Sequence, residues 1–266
     1  MQPVKQASQR GGLAALSVGG EGVVEDRARF ASHCAGDFAY LPRMQPTLTG
    51  GLIWYFVLLY STVLHEAAHA WAAKKLGDDT AYRGGQVSLD PIPHIMREPF
   101  GMVILPILSY MYNGWMMGFA SAPYDPHWAL RFPKRSATMA MAGPAANLLL
   151  ATVAFVLLVA GAKAGKFVPM MVQEGTDVWA LIGMMLFVMF MLNTVLMVFN
   201  LLPLPPLDGS SIPLFFLQGS KAEQYQHFIW QPHIAFIGMA VAFYGGGEVV
   251  WRVFYKVYGL LVHMAY

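Results

Sequence analysis

The chain has 266 residues, of which 56% are hydrophobic and only 12% carry a formal charge. Soluble domains carry about 25% charged residues, so a lipid bilayer is the expected solvent for this chain. The net charge of +2 is too small to suggest a nucleic-acid partner. The single cysteine, Cys34, excludes an internal disulfide framework.

The N-terminal segment, residues 1–48, differs in composition from the rest of the chain. It has no apolar core long enough for a signal peptide. We therefore predict a mobile N-terminal tail over 1–48 and a single membrane domain over 49–266.

Long uncharged runs mark the membrane segments, since about 20 apolar residues cross a bilayer. Residues 51–73 contain only Glu66 as a formal charge, and the C-terminal residues 249–266 are amphipathic, which fits a short span or an interfacial helix. Four further runs carry no charge: 99–124, 139–162, 178–207 and 228–247. The pattern predicts an all-α polytopic membrane protein, a bundle of about 5–6 transmembrane helices.

The run 99–124 fits either a bent span or a re-entrant segment, because it contains Pro106, Asn113 and several glycines. Basic residues concentrate on the cytoplasmic side of membrane proteins, and re-entry gives the clearer asymmetry. One side then carries Lys74, Lys75, Arg83, Arg97, Arg131, Lys134, Arg135 and Lys221, and the other Arg27, Arg29, Arg43, Lys163 and Lys166. The prediction favours re-entry, with the Lys74/Lys75 end in the cytoplasm.

The sequence "HEAAH" lies inside the first apolar run. His65 and His69 are four residues apart and share one helix face, which is the spacing that binds one Zn²⁺ with Glu66 as general base. A polar patch facing a helical bundle is the plainer reading. Each ionisable group in a bilayer costs about 2.5–3.5 kcal/mol on insertion scales, so three together favour a bound metal.

A zinc site needs a third protein ligand, and Asp208 is the candidate. It follows "FNLLPLPP", whose prolines forbid a regular helix, and broken backbone at membrane depth must be buried in protein or line a wet cavity. A surface Pro-Asp-Gly loop is the alternative. Together with "HEAAH", the pattern favours a metal ligand.

These motifs carry a resemblance to a known family. "HEAAH" in the first membrane helix, "AGPAAN" at 142–147 and "FNLLPLPPLDG" at 199–209 resemble the site-2 protease family, which are intramembrane zinc metalloproteases. The stretch "GGQVSLDPIPHI" followed by "PFGMVILPIL" resembles the compact bacterial branch without PDZ or CBS domains. The resemblance covers residues 51 to about 217, with Asp90 where the family usually has Asn.

The resemblance implies roles for the matching positions. It implies that His65, His69 and Asp208 hold one Zn²⁺, that Glu66 is the catalytic base, and that Asn200 polarises the scissile carbonyl or holds the oxyanion. Asn147 belongs to the middle motif, whose helix lines the site. His94 lies close in sequence to the first helix and is a candidate for gating or substrate contact, although a loop hydrogen bond is the plainer explanation.

The resulting hypothesis is an intramembrane zinc metalloprotease that cleaves single-span membrane proteins after their helices unwind. The substrate strand would pair with a short β edge near residues 84–90. The expected location is the bacterial cell membrane, with the site in the cytoplasmic half and a separate regulator or a homo-oligomer selecting substrates. The alternatives are a polytopic metal transporter and a non-catalytic metal-binding membrane protein.

Overall fold

The computed structural model describes residues 47–169 and 177–266, all of which belong to one unit, Arg43–Tyr266. Most of the predicted tail, 1–46, lies outside the described residues. The helices are α1 (Leu48–Leu76), α2 (Thr80–Arg83), α3 (Pro91–Arg97), α4 (Phe100–Asn113, π-helical over its first five residues), α5 (Pro126–Arg131), α6 (Pro133–Lys163), α7 (Val178–Asn200), a 3-10 helix (Asp208–Phe215), α8 (Gly219–Ile229), α9 (Pro232–Val241) and α10 (Gly247–Ala265).

The predicted all-α membrane class is confirmed, with one change in the number of spans. Within the described residues, four helical stretches are long and apolar enough to cross a membrane: Leu48–Leu76, Pro133–Lys163, Val178–Asn200 and Pro232–Ala265. The prediction of about 5–6 spans counted 228–247 and 249–266 as separate elements. They form one continuous helix instead, because a π-helical turn, Ala242–Gly246, carries the chain through its three consecutive glycines.

Helices α1, α6 and α7 form the centre of the bundle. The start of α1 is fixed by Thr47, whose hydroxyl accepts a hydrogen bond from Gly50 N at 3.1 Å, and its end by Gly77, which adopts the left-handed conformation with φ +105°. The buried core draws on all three helices and α10 through Trp54, Leu58, Leu158, Phe190 and Phe254. Many large apolar side chains remain exposed around this core, as expected of a surface that faces lipid.

Residues 79–124 depart from the C-terminal end of α1 and return beside it, and between these points Tyr110 and Met116 pack into the buried core. The Asp78 carboxylate accepts a hydrogen bond from Thr80 N and another from Asp125 N, each at 2.9 Å, so the two ends of this excursion meet at one buried side chain. Both ends therefore lie beside the C-terminus of α1.

Within the excursion, α4 and the residues that follow it form a hairpin. The chain reverses at Gly114, Met117 N donates to Ser109 Oγ at 2.9 Å, and Phe119 N donates to Gly101 O at 3.1 Å. Helix α4 is an apolar helix of 14 residues, a rise of about 21 Å against a hydrocarbon core of roughly 30 Å. This geometry agrees with the predicted re-entrant segment.

The predicted short β edge is not formed. Residues 84–90 make turns and bends, and the described residues contain no strand. The Asp90 carboxylate caps helix α3 by accepting a hydrogen bond from Ile92 N at 2.9 Å, which directs the chain into a helix. The turns over 84–90 and the helix cap at Asp90 therefore stand where the β edge was predicted.

Candidate metal centre

His65 and His69 present their imidazoles to one point inside the bundle. They lie one turn apart on α1, both are buried, and their Nε2 atoms are 3.0 Å apart. The two rings meet edge to face, with centroids 4.6 Å apart. The helical spacing predicted from the sequence therefore places two nitrogen donors side by side.

Asp208 reaches the same point from a different part of the chain. Its Oδ2 lies 3.2 Å from His65 Nε2 and its Oδ1 lies 3.4 Å from His69 Nε2. The proline run ends α7, and the chain folds back so closely that a Cβ on Gly209 would lie 2.3 Å from Leu201 O. This reversal carries the carboxylate to the histidines.

The hydrogen bonds on the far side of each imidazole show that the donor set fits a cation. His69 Nδ1 lies 2.8 Å from the carbonyl of Met139, and His65 Nδ1 contacts Asn147 Oδ1. Oxygen acceptors at both positions require Nδ1–H, so both Nε2 atoms carry lone pairs. Two lone pairs and a carboxylate then converge within 4.8 Å, and a positive ion between them resolves their mutual repulsion.

This donor set is of the type that holds catalytic zinc. Two imidazole nitrogens and one carboxylate are three ligands, which leaves the fourth position of a tetrahedral ion open. The buried Oδ2 of Asp208 accepts no hydrogen bond from any described residue. His65, His69 and Asp208 are therefore the residues that would hold the metal.

Gly143 on α6 closes the remaining side of the site. A Cβ built at this position would lie 2.3 Å from His69 Nε2 and 2.5 Å from His65 Nε2. The helix therefore passes the ligand nitrogens at a distance that only glycine permits. In the sequence, Gly143 fits small-residue packing between helices, and the structure gives it this more specific position.

Glu66 lies between the two ligands in sequence and is buried at 6% exposure. Over residues 47–169 and 177–266 it forms no hydrogen bond or ion pair. A carboxylate without a structural partner is available to accept a proton. The role of Glu66 as general base stays a prediction.

Asn147 contacts a ligand rather than the open position. Its Oδ1 accepts from His65 Nδ1, and its Nδ2 donates to Asn193 Oδ1 at 2.8 Å. Asn193 in turn donates to Ser61 Oγ at 2.9 Å. Asn193 and Ser61 were not predicted; the available signal was an uncharged polar residue in each apolar run, with Ser61 one turn before His65.

The other two predicted residues make local contacts. Asn200, half-buried at the end of α7, donates from Nδ2 to Leu196 O at 3.0 Å. His94 is buried, its Nε2 lies 3.1 Å from Ser88 O, and it does not belong to the cluster of metal-binding side chains found among the described residues. The loop hydrogen bond expected as the plainer explanation for His94 is present.

An open apolar groove runs along α1 beside this site. It is lined by Leu64, Ala67, Ala68, Trp71, Val87, Ser88, Leu89 and Ala146. Ala67 and Ala68 are the two residues between Glu66 and His69, so the groove follows the helix that carries the histidines.

The fold and the site together define a multi-pass membrane protein with a buried metal centre of two histidines and an aspartate. The chain belongs to Peptidase family M50, whose model matches residues 53–243. The predicted membership in the site-2 protease family is confirmed by this match. No solved structure matches the chain.

Three curated bacterial proteins are similar to this chain. "Putative zinc metalloprotease YwhC" of Bacillus subtilis (strain 168) is 36% identical over 155 residues, which are 58% of this chain and 64% of the relative. "Putative zinc metalloprotease Rip2" of Mycolicibacterium smegmatis is 32% identical over 153 residues, 57% of this chain and 52% of the relative. Rip2 of Mycobacterium tuberculosis (strain H37Rv) is 32% identical over 151 residues, which are again 57% of this chain and 52% of the relative. The matched segment spans between half and two thirds of these relatives.

Proposed function

We propose that this protein is an intramembrane zinc metalloprotease that hydrolyses peptide bonds in the transmembrane helices of other membrane proteins. The observation that carries the proposal is the convergence of two imidazole lone pairs and a carboxylate inside a membrane bundle, next to a buried carboxylate with no structural partner. The names of the relatives and the family match support the peptidase over the alternative metal transporter.

Each residue of the site has a separate role in this proposal. His65, His69 and Asp208 hold the ion, which supplies a Lewis acid that activates a water molecule and polarises the peptide carbonyl. Glu66 accepts the proton of the attacking water and passes it to the leaving amine. Asn200 stabilises the developing oxyanion after its amide exchanges the Leu196 carbonyl for the substrate.

The substrate reaches this site through the groove beside α1. The lining of the groove is almost entirely apolar, as is the side chain surface of a membrane helix. Peptide bonds in an intact helix are shielded by their own backbone, so the substrate must unwind before hydrolysis. Single-span membrane proteins fit this route, and a separate regulator or a second copy of the chain would select among them.

The proposed location is the bacterial cell membrane, with residues 49–266 as the protease domain. Because residues 79–124 leave and return beside the C-terminus of α1, their basic residues lie with those on that side of the membrane. The larger number of Lys and Arg residues on that side supports a cytoplasmic location for the end of α1 that carries Lys74 and Lys75.

Glu66→Gln tests the proposal. The zinc-loaded protein is incubated with a panel of single-span helices, and cleavage and bound zinc are measured together. We expect the variant to retain zinc and to lose cleavage by 100-fold or more, since general base catalysis alone contributes about 10²–10⁴-fold. Loss of zinc in this variant would make Glu66 a ligand and would favour a transporter.

A further inference from the structure

A closed circuit of buried hydrogen bonds connects His65 to three membrane helices. It runs from His65 on α1 to Asn147 on α6, then to Asn193 on α7, and returns to α1 at Ser61. Both asparagines are completely buried, so they have no access to water as an alternative partner. Ser61 lies one helical turn before His65, which closes the circuit on the helix where it began.

The direction of each hydrogen bond in this circuit follows from one backbone carbonyl. Asn193 Nδ2 lies 2.8 Å from Met189 O, which can only accept, and 2.9 Å from Ser61 Oγ. Both hydrogens of this amide are therefore used, and Asn193 Oδ1 must face Asn147. Asn147 Nδ2 donates to Asn193 Oδ1 at 2.8 Å, and this orientation of the amide points Asn147 Oδ1 toward His65.

The circuit therefore determines which nitrogen of His65 carries the proton. An oxygen acceptor at Nδ1 selects the Nδ1–H tautomer and leaves the lone pair on Nε2, the atom that faces Asp208 and His69. If Asn147 were free to rotate its amide by 180°, its NH₂ group would face Nδ1. The Nε2–H tautomer would then be favoured, and that tautomer cannot bind a metal through Nε2.

We propose that Asn193 is a positioning residue that sets the tautomer of His65 through Asn147, with the Met189 carbonyl as the fixed reference and Ser61 as the second acceptor. The side-chain hydrogen bonds of Asn193 go to Asn147, Ser61 and Met189 and not to a metal ligand. Its effect on His65 therefore passes through the orientation of the Asn147 amide. This proposal rests on the proposed function in one respect: it assumes that His65 is a metal ligand. Removal of groups that orient a metal ligand typically lowers metal affinity by about 10–100-fold.

Two substitutions at position 193 separate polarity from packing. Asn193→Leu keeps a branched side chain of four heavy atoms but removes the acceptor for Asn147 Nδ2, so the Asn147 amide is free to rotate. Asn193→Asp keeps an oxygen facing Asn147, and the protonated carboxyl also supplies a donor for Met189 O, so the direction of the circuit is preserved. A purely structural role predicts that both substitutions disturb the site, with the buried acid at least as harmful as leucine.

The control variant is Thr194→Val. Thr194 is buried next to Asn193 on the same helix, and its hydroxyl donates to Phe190 O at 2.7 Å, within its own helix. This substitution removes a buried polar group from α7 without touching the circuit. Its metal affinity should match that of the unmodified protein.

The first measurement is zinc affinity of the purified full chain in detergent, by competition with a chromophoric chelator. We expect Asn193→Leu to weaken zinc binding by about 10–100-fold and Asn193→Asp to remain within about threefold of the unmodified protein. Thermal unfolding of the metal-free proteins shows which variants are folded. Affinity that falls equally in both variants, or in neither, would overturn the proposal.

The second measurement reads the tautomer directly. Nitrogen-15 spectra of metal-free protein labelled at histidine distinguish Nδ1–H from Nε2–H, with His65 assigned from a His65→Ala sample. We expect Nδ1–H in the unmodified protein and in Asn193→Asp, and a shift toward Nε2–H in Asn193→Leu. An unchanged His65 tautomer in the leucine variant would overturn the role of Asn193. A protein that passes both tests but cleaves no peptide would contradict the proposed protease activity and not this proposal.

Discussion

The room around the metal ligands is limited at a single residue, Gly143. Helix α6 brings its backbone so close to the two ligand nitrogens that a methyl group would overlap both of them. The position where a tetrahedral ion would sit is next to these nitrogens. A side chain on residue 143 therefore competes with the metal for the same space.

We expect Gly143→Ala to abolish zinc binding while leaving the protein folded. Alanine favours a helix over glycine by about 1 kcal/mol, so the helix itself is not weakened. The new methyl group displaces His65 Nε2 and His69 Nε2 from each other and from Asp208. Zinc content after dialysis against a weak chelator, measured per mole of protein, checks the prediction.

Gly259→Ala is the matched control for this substitution. Gly259 lies within α10, and a Cβ added there meets no atom of residues 47–169 or 177–266 within 4 Å. This variant should bind zinc like the unmodified protein and be equally or slightly more stable. Full zinc occupancy in Gly143→Ala would show that the helix moves away from the site more easily than its packing suggests.

The sequence was sufficient to predict which three side chains converge but not the residues that shape their surroundings. His65 and His69 follow from helical periodicity, and Asp208 from a proline-broken segment beside a site that lacked a third ligand. Gly143 and Asn193 act through contacts between helices that are far apart in sequence. Hydrophobic periodicity does not distinguish a glycine or an asparagine that faces lipid from one that faces a metal ligand.

At the scale of elements, one carboxylate holds both ends of the 79–124 excursion. Asp78 is buried at 4% exposure, and its Oδ1 accepts from Thr80 N and Thr80 Oγ1, while its Oδ2 accepts from Asp125 N. The excursion contains the α4 hairpin and three of the residues that line the groove, Val87, Ser88 and Leu89. Its position beside α1 therefore depends on a side chain outside the metal centre.

We expect Asp78→Asn to loosen the excursion, because one of the two carboxylate oxygens becomes an NH₂ group that faces a backbone donor. Losing hydrogen bonds to a buried charged group costs about 1.5–3 kcal/mol. The free energy of unfolding should fall by that amount, and chymotrypsin should cut more readily at the aromatic residues between 114 and 125. Both quantities are measured in detergent on zinc-loaded protein.

The neighbouring Asp79→Asn is the control for this prediction. Asp79 is exposed, and its ion pair with Arg83 at 3.7 Å is of the exposed kind that contributes about 0–1 kcal/mol. Its stability and its proteolysis should barely change. An Asp78→Asn protein that resists chymotrypsin as well as this control would mean that other contacts, such as the hydrogen bonds between Tyr110 and Thr47, hold the excursion without Asp78.

The elements that the sequence misjudged are those whose ends depend on local chemistry. A short β edge was predicted near residues 84–90 as the pairing partner of a substrate strand, but Asp90 caps a helix immediately after them. Residues 228–247 and 249–266 were predicted as separate elements, but a π-helical turn joins them into one continuous helix. Re-entry of 99–124 was favoured by charge asymmetry. The hydrogen bonds of Asp78, which join the two ends of the longer excursion 79–124, could not be predicted from the sequence.

At the scale of the whole molecule, polar and apolar groups are arranged for a bilayer. The metal ligands, Glu66 and the asparagine circuit lie at the centre of the bundle, while large apolar side chains cover its outside. Water must therefore reach the site through the protein rather than through lipid. The depth of the site along α1 then decides which part of a substrate helix it can meet.

The depth of the site predicts where substrates are cut. His65 is 11 residues before the end of α1 at Leu76, a rise of about 17 Å in a helix of 29 residues, so the site lies beyond the middle of α1 toward Lys74 and Lys75. With this end in the cytoplasm, as proposed, we expect cleavage within the cytoplasmic half of a substrate helix.

A Gly pair placed in that half should speed cleavage relative to an Ala pair, since each Gly costs a helix about 1 kcal/mol and eases unwinding. Mass spectrometry of the product ends, on single-span substrates with the Gly pair moved along the span, checks both expectations, with Glu66→Gln as the inactive control. Cuts that cluster in the outer half, or rates indifferent to the position of the Gly pair, would contradict the placement of the site or the need for unwinding, respectively.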